Sequence, residues 1–333
     1  SRAQRINEVS PRVEKLRAEL LATSPEIFSE RAVLVTQSYK ETFAQPYILR
    51  RAKAFDKLLR NMRLYLRDGE LIVGNLSEKP RGAPVFPEYD VAFILDELDT
   101  FDTRRADKFN ITDENKQLLR SVLPGWEQNT VRAAASRLFT AEGKDASTDL
   151  ISMLTALGSG VGHMIVDYRL VLDKGLVFVR NEAAQLKAQL LPRSSNYFQA
   201  ASYYESVVIA CDAVIAYANR FGSYAEQLLQ QETTSERRRE LQLIAANCRK
   251  VPAYPADTFW QALQSFWFLH LALQLESNGH SVSAGRFDQY IYPYFERNTQ
   301  QRGITTDLAE ELLHCLWIKF NEVNKLRDQV SST

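Results

Sequence analysis

Glu276-Ser277-Asn278-Gly279-His280-Ser281-Val282-Ser283-Ala284-Gly285-Arg286-Phe287-Asp288-Gln289 is the stretch on which the reading of this chain turns. It follows a long apolar run, Phe259 to Leu275, and precedes an aromatic segment, Tyr290-Ile291-Tyr292-Pro293-Tyr294-Phe295. Two carboxylates, a guanidinium, an imidazole, two amides and three hydroxyls are crowded into it. Buried polar groups are costly unless each finds a partner. A segment this polar beside a run this apolar is therefore either a surface cap or the lining of a polar pocket. A second histidine, in the glycine-rich turn Gly158-Ser159-Gly160-Val161-Gly162-His163, favours the pocket.

The 333 residues are 45% apolar, a normal globular value, and long for one ordinary domain. The formal charge is +0, from 41 basic and 41 acidic residues, which argues against a dedicated nucleic-acid binder. No apolar run reaches transmembrane length, and Ser1 opens a polar stretch without a signal peptide's apolar centre. Cys211, Cys248 and Cys315 are too few and too scattered for a disulfide framework or a zinc pattern. The expectation is a soluble, intracellular protein that uses neither nucleic acid nor membrane.

Helical signals dominate. Ser10-Pro11 reads as an N-cap with proline at the first helical position, followed by Val13, Leu16 and Leu20 at helical spacing. Ser24-Pro25 repeats the signal and predicts a second helix; a third is expected from about Pro46 through Leu66. Leu71-Ile72-Val73-Gly74 reads as a short buried strand, and Glu78 to Asp90 as an extended loop. Helices are expected over Val91 to Phe101, and over 110–143 with a break at Pro124-Gly125. Leu154 to Gly162 reads as loop and His163 to Tyr168 as extended; Arg169 to Leu191 reads as helix interrupted by Gly175. Ala200 to Leu229 and Thr234 to Arg249 are predicted helical, as is 257–275, apolar almost all round and so buried on all sides. Leu308, Leu312, Leu316, Phe320 and Val323 mark a final amphipathic helix. There is no internal repeat, and the chain is mainly α.

Each candidate for chemistry has a plainer reading beside it. His163 follows glycines that let the backbone turn tightly, so it could bond a substrate hydroxyl or shuttle a proton, or simply bond a nearby carbonyl. His280-Ser281 sets an imidazole beside a hydroxyl, enough to hold a polyol; a capping serine and a surface histidine fit the spacing equally. Arg286 and Asp288, two apart, read as an ion pair on one side of an extended segment. His270 reads as a satisfied core histidine, and His314 and Cys315 as structural. None of the cysteines advertises the cationic or helix-start environment of a reactive thiol.

Taken in order, a series of motifs resembles the glycyl radical enzymes of the pyruvate formate-lyase-like family. They are Ser29-Glu30-Arg31-Ala32, Leu49-Arg50-Arg51-Ala52, Arg67-Asp68-Gly69-Glu70-Leu71-Ile72-Val73-Gly74, Phe86-Pro87-Glu88 and Asp96-Glu97-Leu98-Asp99. Further on come Gly162-His163, Val166-Asp167-Tyr168, Glu276 to Ser281, Arg286-Phe287-Asp288-Gln289-Tyr290 and Trp317-Ile318-Lys319-Phe320-Asn321-Glu322. Within that family the likeness leans toward the B12-independent glycerol and propane-1,2-diol dehydratases. The resemblance implies the N-terminal part of a ten-stranded α/β barrel, to which these residues contribute helical wrapping and the first barrel elements. It also implies that 1–333 precedes the family's Cys-Val-Glu and Arg-Val-x-Gly-Tyr motifs, neither of which occurs here. Hence no residue of this chain is expected to carry the radical.

Matched residue by residue, His163, His280 and Ser281 fall on substrate-binding positions, which implies a small diol or polyol as substrate. No cofactor is expected to be bound directly. The radical would be installed by an activase using S-adenosylmethionine and an iron–sulfur cluster. Further implied partners are the remainder of the polypeptide and a second copy in a homo-oligomer, in the cytoplasm, a bacterial microcompartment included. Alternatives are a family lyase, decarboxylase or acyltransferase acting on another small substrate, and a non-catalytic helical interaction or diol-sensing module.

Overall fold

The structure, a computed structural model, describes residues 9–143 and 160–328. The chain begins with α1 (Pro11–Ala22), whose N-cap Ser10 accepts from the Val13 amide, as its Ser-Pro signal predicts. β1 (Glu26–Phe28), α2 (Glu30–Glu41) and α3 (Tyr47–Asn61) follow, then β2 (Gly82–Pro84) and α4 (Ala92–Glu97). α5 (Asp113–Val122) gives way at Pro124 to a single 3-10 turn, and α6 (Val131–Ser136) follows. β3 (Met164–Ile165) leads into α7 (Tyr168–Lys174) and α8 (Leu176–Ala188), which are separated by Gly175. The long α9 (Tyr197–Gln231), α10 (Ser235–Lys250) and α11 (Phe259–Glu276) come next. β4 (Val282–Ser283), α12 (Phe287–Gln300) and α13 (Thr306–Glu322) complete the described order.

α11 is the axis of the larger core. Leu263, Phe266 and Phe268 are fully buried, and α7, α9, α10, α12 and α13 all pack against it. A helix apolar all round has no solvent face to offer, so it must be wrapped. His270 sits in this core as expected, its Nδ1 3.1 Å from the Tyr168 hydroxyl and its Nε2 3.2 Å from the Gln274 amide. Cys315 and Cys211 are buried, and His314 is half-buried in α13. A smaller core lies under α2, α4 and α5, around Ile27, Val35, Phe101 and Leu123.

Several expectations are corrected. The helix predicted after Ser24-Pro25 does not start there: residues 26–28 form β1 and pair in parallel with β2, and the helix begins only at Glu30. The same pairing places a strand inside the loop expected over 78–90. The third helix ends at Asn61, short of Leu66. The strand expected at Leu71 to Gly74 is buried but has no strand partner. The Gln264 side chain takes that role, accepting from the Val73 amide at 2.9 Å and donating to its carbonyl at 2.7 Å. α12 was not foreseen, because aromatic residues and Pro293 mask its helical period. Arg286 and Asp288 therefore make no ion pair with each other: the backbone is helical from Phe287, and positions two apart on a helix diverge. Of the loop expected over Leu154 to Gly162, residues 154–159 lie outside the described residues.

Charged groups are also buried between elements. Lys319 of α13 donates to Glu70 at 3.0 Å and to Glu322 at 2.7 Å, and all three side chains are almost fully enclosed. Arg67 bonds both carboxylates, and the Tyr65 hydroxyl donates to Glu322. Two cations and two anions leave no net buried charge, the arrangement that keeps desolvation bearable.

Burial in the α11 core holds the His270 imidazole down at about 4, with the Lys325 cation adding to the effect. As the pH falls from about 6.5 to about 4, the unfolded chain takes up a proton there that the folded chain refuses. Stability is therefore lost on acidification over that window, by roughly 3 kcal/mol for this group, and the loss levels off below it. Urea unfolding across the window should show the decline, and His270→Gln should flatten it; an equal slope in the variant would show that His270 is not its source.

Candidate functional site

The site forms where two glycine-containing turns cross. β3 and β4 pair in parallel, with Met164 opposite Val282 and Ile165 opposite Ser283. One step ahead of the ladder the His163 amide donates to the His280 carbonyl at 2.9 Å. The backbones approach so closely that a Cβ on Gly279 would stand 1.7 Å from the Val161 carbonyl oxygen, and one on Gly162 would stand 2.3 Å from that of His280. Glycine at both positions is thus a steric requirement. Ser277 locks the crossing: its hydroxyl donates to the Val161 carbonyl at 2.7 Å and accepts from the Gly279 amide at 3.1 Å.

His163 and Ser281 both lie in the left-handed region, with φ of 52° and 57°. That conformation costs a non-glycine residue on the order of 1–3 kcal/mol and clusters at functional sites. The two turns place His163 and His280 side by side, with Nε2 atoms 3.1 Å apart and rings nearly perpendicular at 77°. One ring can donate to the other only while at least one is neutral. His163, His280 and Ser281 are all exposed, so the three predicted site residues share one open edge. The separation of 117 positions between the histidines is closed by four residues of parallel sheet.

Cations brace the turn from behind. Lys325 donates to the carbonyls of Gln274 at 2.6 Å and Ser277 at 2.8 Å, Arg327 to that of Asn278 at 2.7 Å, and Arg31 to that of Leu275 at 2.9 Å. Arg31 also pairs with Glu88 and lies over the Phe86 ring, and Arg51 pairs with Glu276. Burial, with Arg327 and Arg31 adding, pushes the Lys325 ammonium well below its ordinary value. Partial desolvation, the Arg327 cation and the neighbouring His163 push His280 down. Sequence reading missed Lys325 and Arg327 as supports of the site, since a backbone carbonyl, their partner, has no signature in sequence.

An apolar cavity of about 580 Å³ lies on the far side of this frame, lined by Ile48, Phe55, Val171 and Leu273, with Arg51 and Glu276 at one end. None of the three predicted site residues lines it. Among the described residues no group of three or more His, Cys, Asp or Glu could hold a metal ion, and no helix is long and apolar enough to cross a membrane.

With that geometry in place, comparison with known proteins is specific. The family model described as pyruvate formate lyase-like matches residues 5–333. The chain is 37% identical over 305 residues to the probable dehydratase YbiW of Escherichia coli, covering 91% of this chain and 38% of that protein. A solved structure from work on 1,2-propanediol dehydration in Roseburia inulinivorans superposes with a TM-score of 0.96 at 39% identity, covering 98% of this chain and 41% of that one. The glycerol-bound B12-independent glycerol dehydratase of Clostridium butyricum gives a TM-score of 0.93 at 39% identity, covering 97% and 41%. The chain thus spans about two fifths of the length of the relatives it matches.

Arg327→Gln keeps a donor for the Asn278 carbonyl and removes the charge. The His280 titration midpoint, followed by NMR of the ring protons, should start below the ordinary histidine value and rise in this variant. A midpoint that does not move would show that the Arg327 field does not reach the imidazole.

Proposed function

Because the chain belongs to the pyruvate formate lyase-like family, we propose that it is the N-terminal part of a glycyl radical dehydratase acting on a small diol, with glycerol and propane-1,2-diol as the leading substrates. The observation that carries this reading is the exposed cluster of His163, His280 and Ser281, held in register by the β3–β4 pair. A diol presents hydroxyls on neighbouring carbons, and each needs a partner once water is excluded. Two imidazoles and a hydroxyl, converging from two crossed turns, supply those partners.

In such an enzyme a glycyl radical installed by a separate activase supplies hydrogen-atom abstraction. The residues of this chain do not fit the radical positions. Cys211, Cys248 and Cys315 are buried, and burial pushes all three thiols up, Cys211 to about 11 and Cys315 to about 12. The radical cysteine and glycine belong to the remainder of the polypeptide. What this chain contributes is orientation and proton handling. An imidazole bonded to the departing hydroxyl strengthens its hold as charge develops there, which is binding expressed in the transition state. His280, kept below its ordinary value, is neutral near pH 7 and can accept a hydroxyl proton. His163, its ring neighbour, is placed to receive or return a proton through the shared Nε2 contact.

The test uses the activated, full-length enzyme. Removing one hydrogen-bonding partner should cost about 1–3 kcal/mol, or roughly 5- to 150-fold in kcat/KM. His280→Ala and Ser281→Ala should show losses of this size with glycerol and propane-1,2-diol. His163→Asn, which tolerates the left-handed backbone, should do likewise. Radical content by electron paramagnetic resonance should be unaltered in all three. Unchanged turnover at normal radical content would remove these residues from the substrate pocket.

A further inference from the structure

The relative placement of the two site histidines carries more than a hydrogen bond. Their Nε2 atoms are 3.1 Å apart, yet their ring centroids are only 4.8 Å apart. A head-on N–H···N contact of that length would set the centroids farther from each other. The two ring axes instead lean toward a common point in front of both nitrogens. A point at the zinc–imidazole distance of about 2.0–2.1 Å from each nitrogen spans such a gap with an N–metal–N angle of roughly 100°, near tetrahedral.

We propose that His163 and His280 chelate a divalent transition-metal ion of borderline softness (zinc, nickel or copper) through their two Nε2 atoms, and that the ion and a diol compete for them. Both rings are exposed, so the convergence point is open to solvent. The backbone bond from His163 to His280 and the two pairs of the β3–β4 ladder hold the rings in place, so little ordering remains to be done on binding. Since no larger cluster of ligating side chains is found among the described residues, the remaining coordination positions fall to water or to ligand hydroxyls. Imidazole donors select against magnesium and calcium, which prefer oxygen. A metal requires the neutral imidazole, and the downward shift of His280 favours that form near neutral pH. Arg327 opposes a dication at this position, but its guanidinium is turned to the Asn278 carbonyl.

The competition half of the proposal rests on the diol reading above; the chelation half does not. The full-length protein is titrated with zinc by isothermal calorimetry near neutral pH, alongside His163→Asn and His280→Asn. A histidine-dependent zinc site is expected, weakened more than about tenfold in either variant, the loss that even outer-shell changes can cause. It should weaken further toward about pH 5 as the imidazoles protonate, and magnesium should not replace zinc. Zinc affinity unchanged in both variants, or matched by magnesium, overturns the chelate. A second titration contains saturating glycerol. A fall in apparent zinc affinity supports competition. Histidine-dependent zinc binding that glycerol leaves untouched keeps the chelate and overturns the diol contact at these rings.

Discussion

The end of α11 is the constraint on which the rest of the structure depends. A helix buried on all sides still leaves its last carbonyls without intrahelical partners, and here they terminate inside the protein rather than in water. Arg31, Lys325 and Arg327 supply the donors, reaching the carbonyls of Leu275, of Gln274 and Ser277, and of Asn278. Cations are the favoured partners at a helix C-terminus because the aligned peptide dipoles leave partial negative charge there. These cations come from opposite ends of the described chain, from α2 and from the segment after α13. Satisfying one helix end thus draws the first and last parts of the chain to the same place, and the turn carrying His280 leaves from it.

The motifs that carry the family likeness are the two halves of these contacts. Arg31 and Glu88 pair, as do Arg51 and Glu276; Arg67 and Glu70 meet Lys319 and Glu322. Each pair joins residues far apart in sequence, apart from the local Arg67–Glu70 contact. A buried ion whose partner is removed costs several kcal/mol, whereas the intact pair contributes little net stability. Such pairs act mainly by making alternative packings expensive. They fix which segments lie together around α11, and so the angle at which the two site turns cross.

Much of the helical scaffold was legible because periodicity and caps are local. The Ser10-Pro11 start, the break at Pro124, the interruption at Gly175 and the all-round apolar character of 259–276 each follow from neighbouring residues. What was not legible depends on partners distant in sequence. Glu26–Phe28 is a strand only because Gly82–Pro84 lies beside it, and that pairing overrides a good helix-start signal. Residues 71–74 look like a strand, but their backbone is satisfied by a glutamine side chain from α11. α12 hides behind aromatic residues and an internal proline. The site divides the same way. Glycines and histidines marked the two turns, and the resemblance selected His163, His280 and Ser281 from the other polar residues. Their juxtaposition needed the fold, as did Lys325 and Arg327, which act on backbone atoms.

The two turns also show why so polar a stretch follows so apolar a helix. Gly279 and Gly162 let two backbones touch where any side chain would force them apart. That contact leaves no room for His163 or Ser281 to relax out of the left-handed region, and the strain is held by the β3–β4 pair and by Ser277. A histidine in ordinary extended backbone would project to one face of its strand or the other. Placed ahead of the ladder at positive φ, His163 turns its ring toward that of His280. The polar segment is therefore a cap and a pocket lining at once: its carbonyls close the helix end inside the protein, while its side chains stand on the open edge.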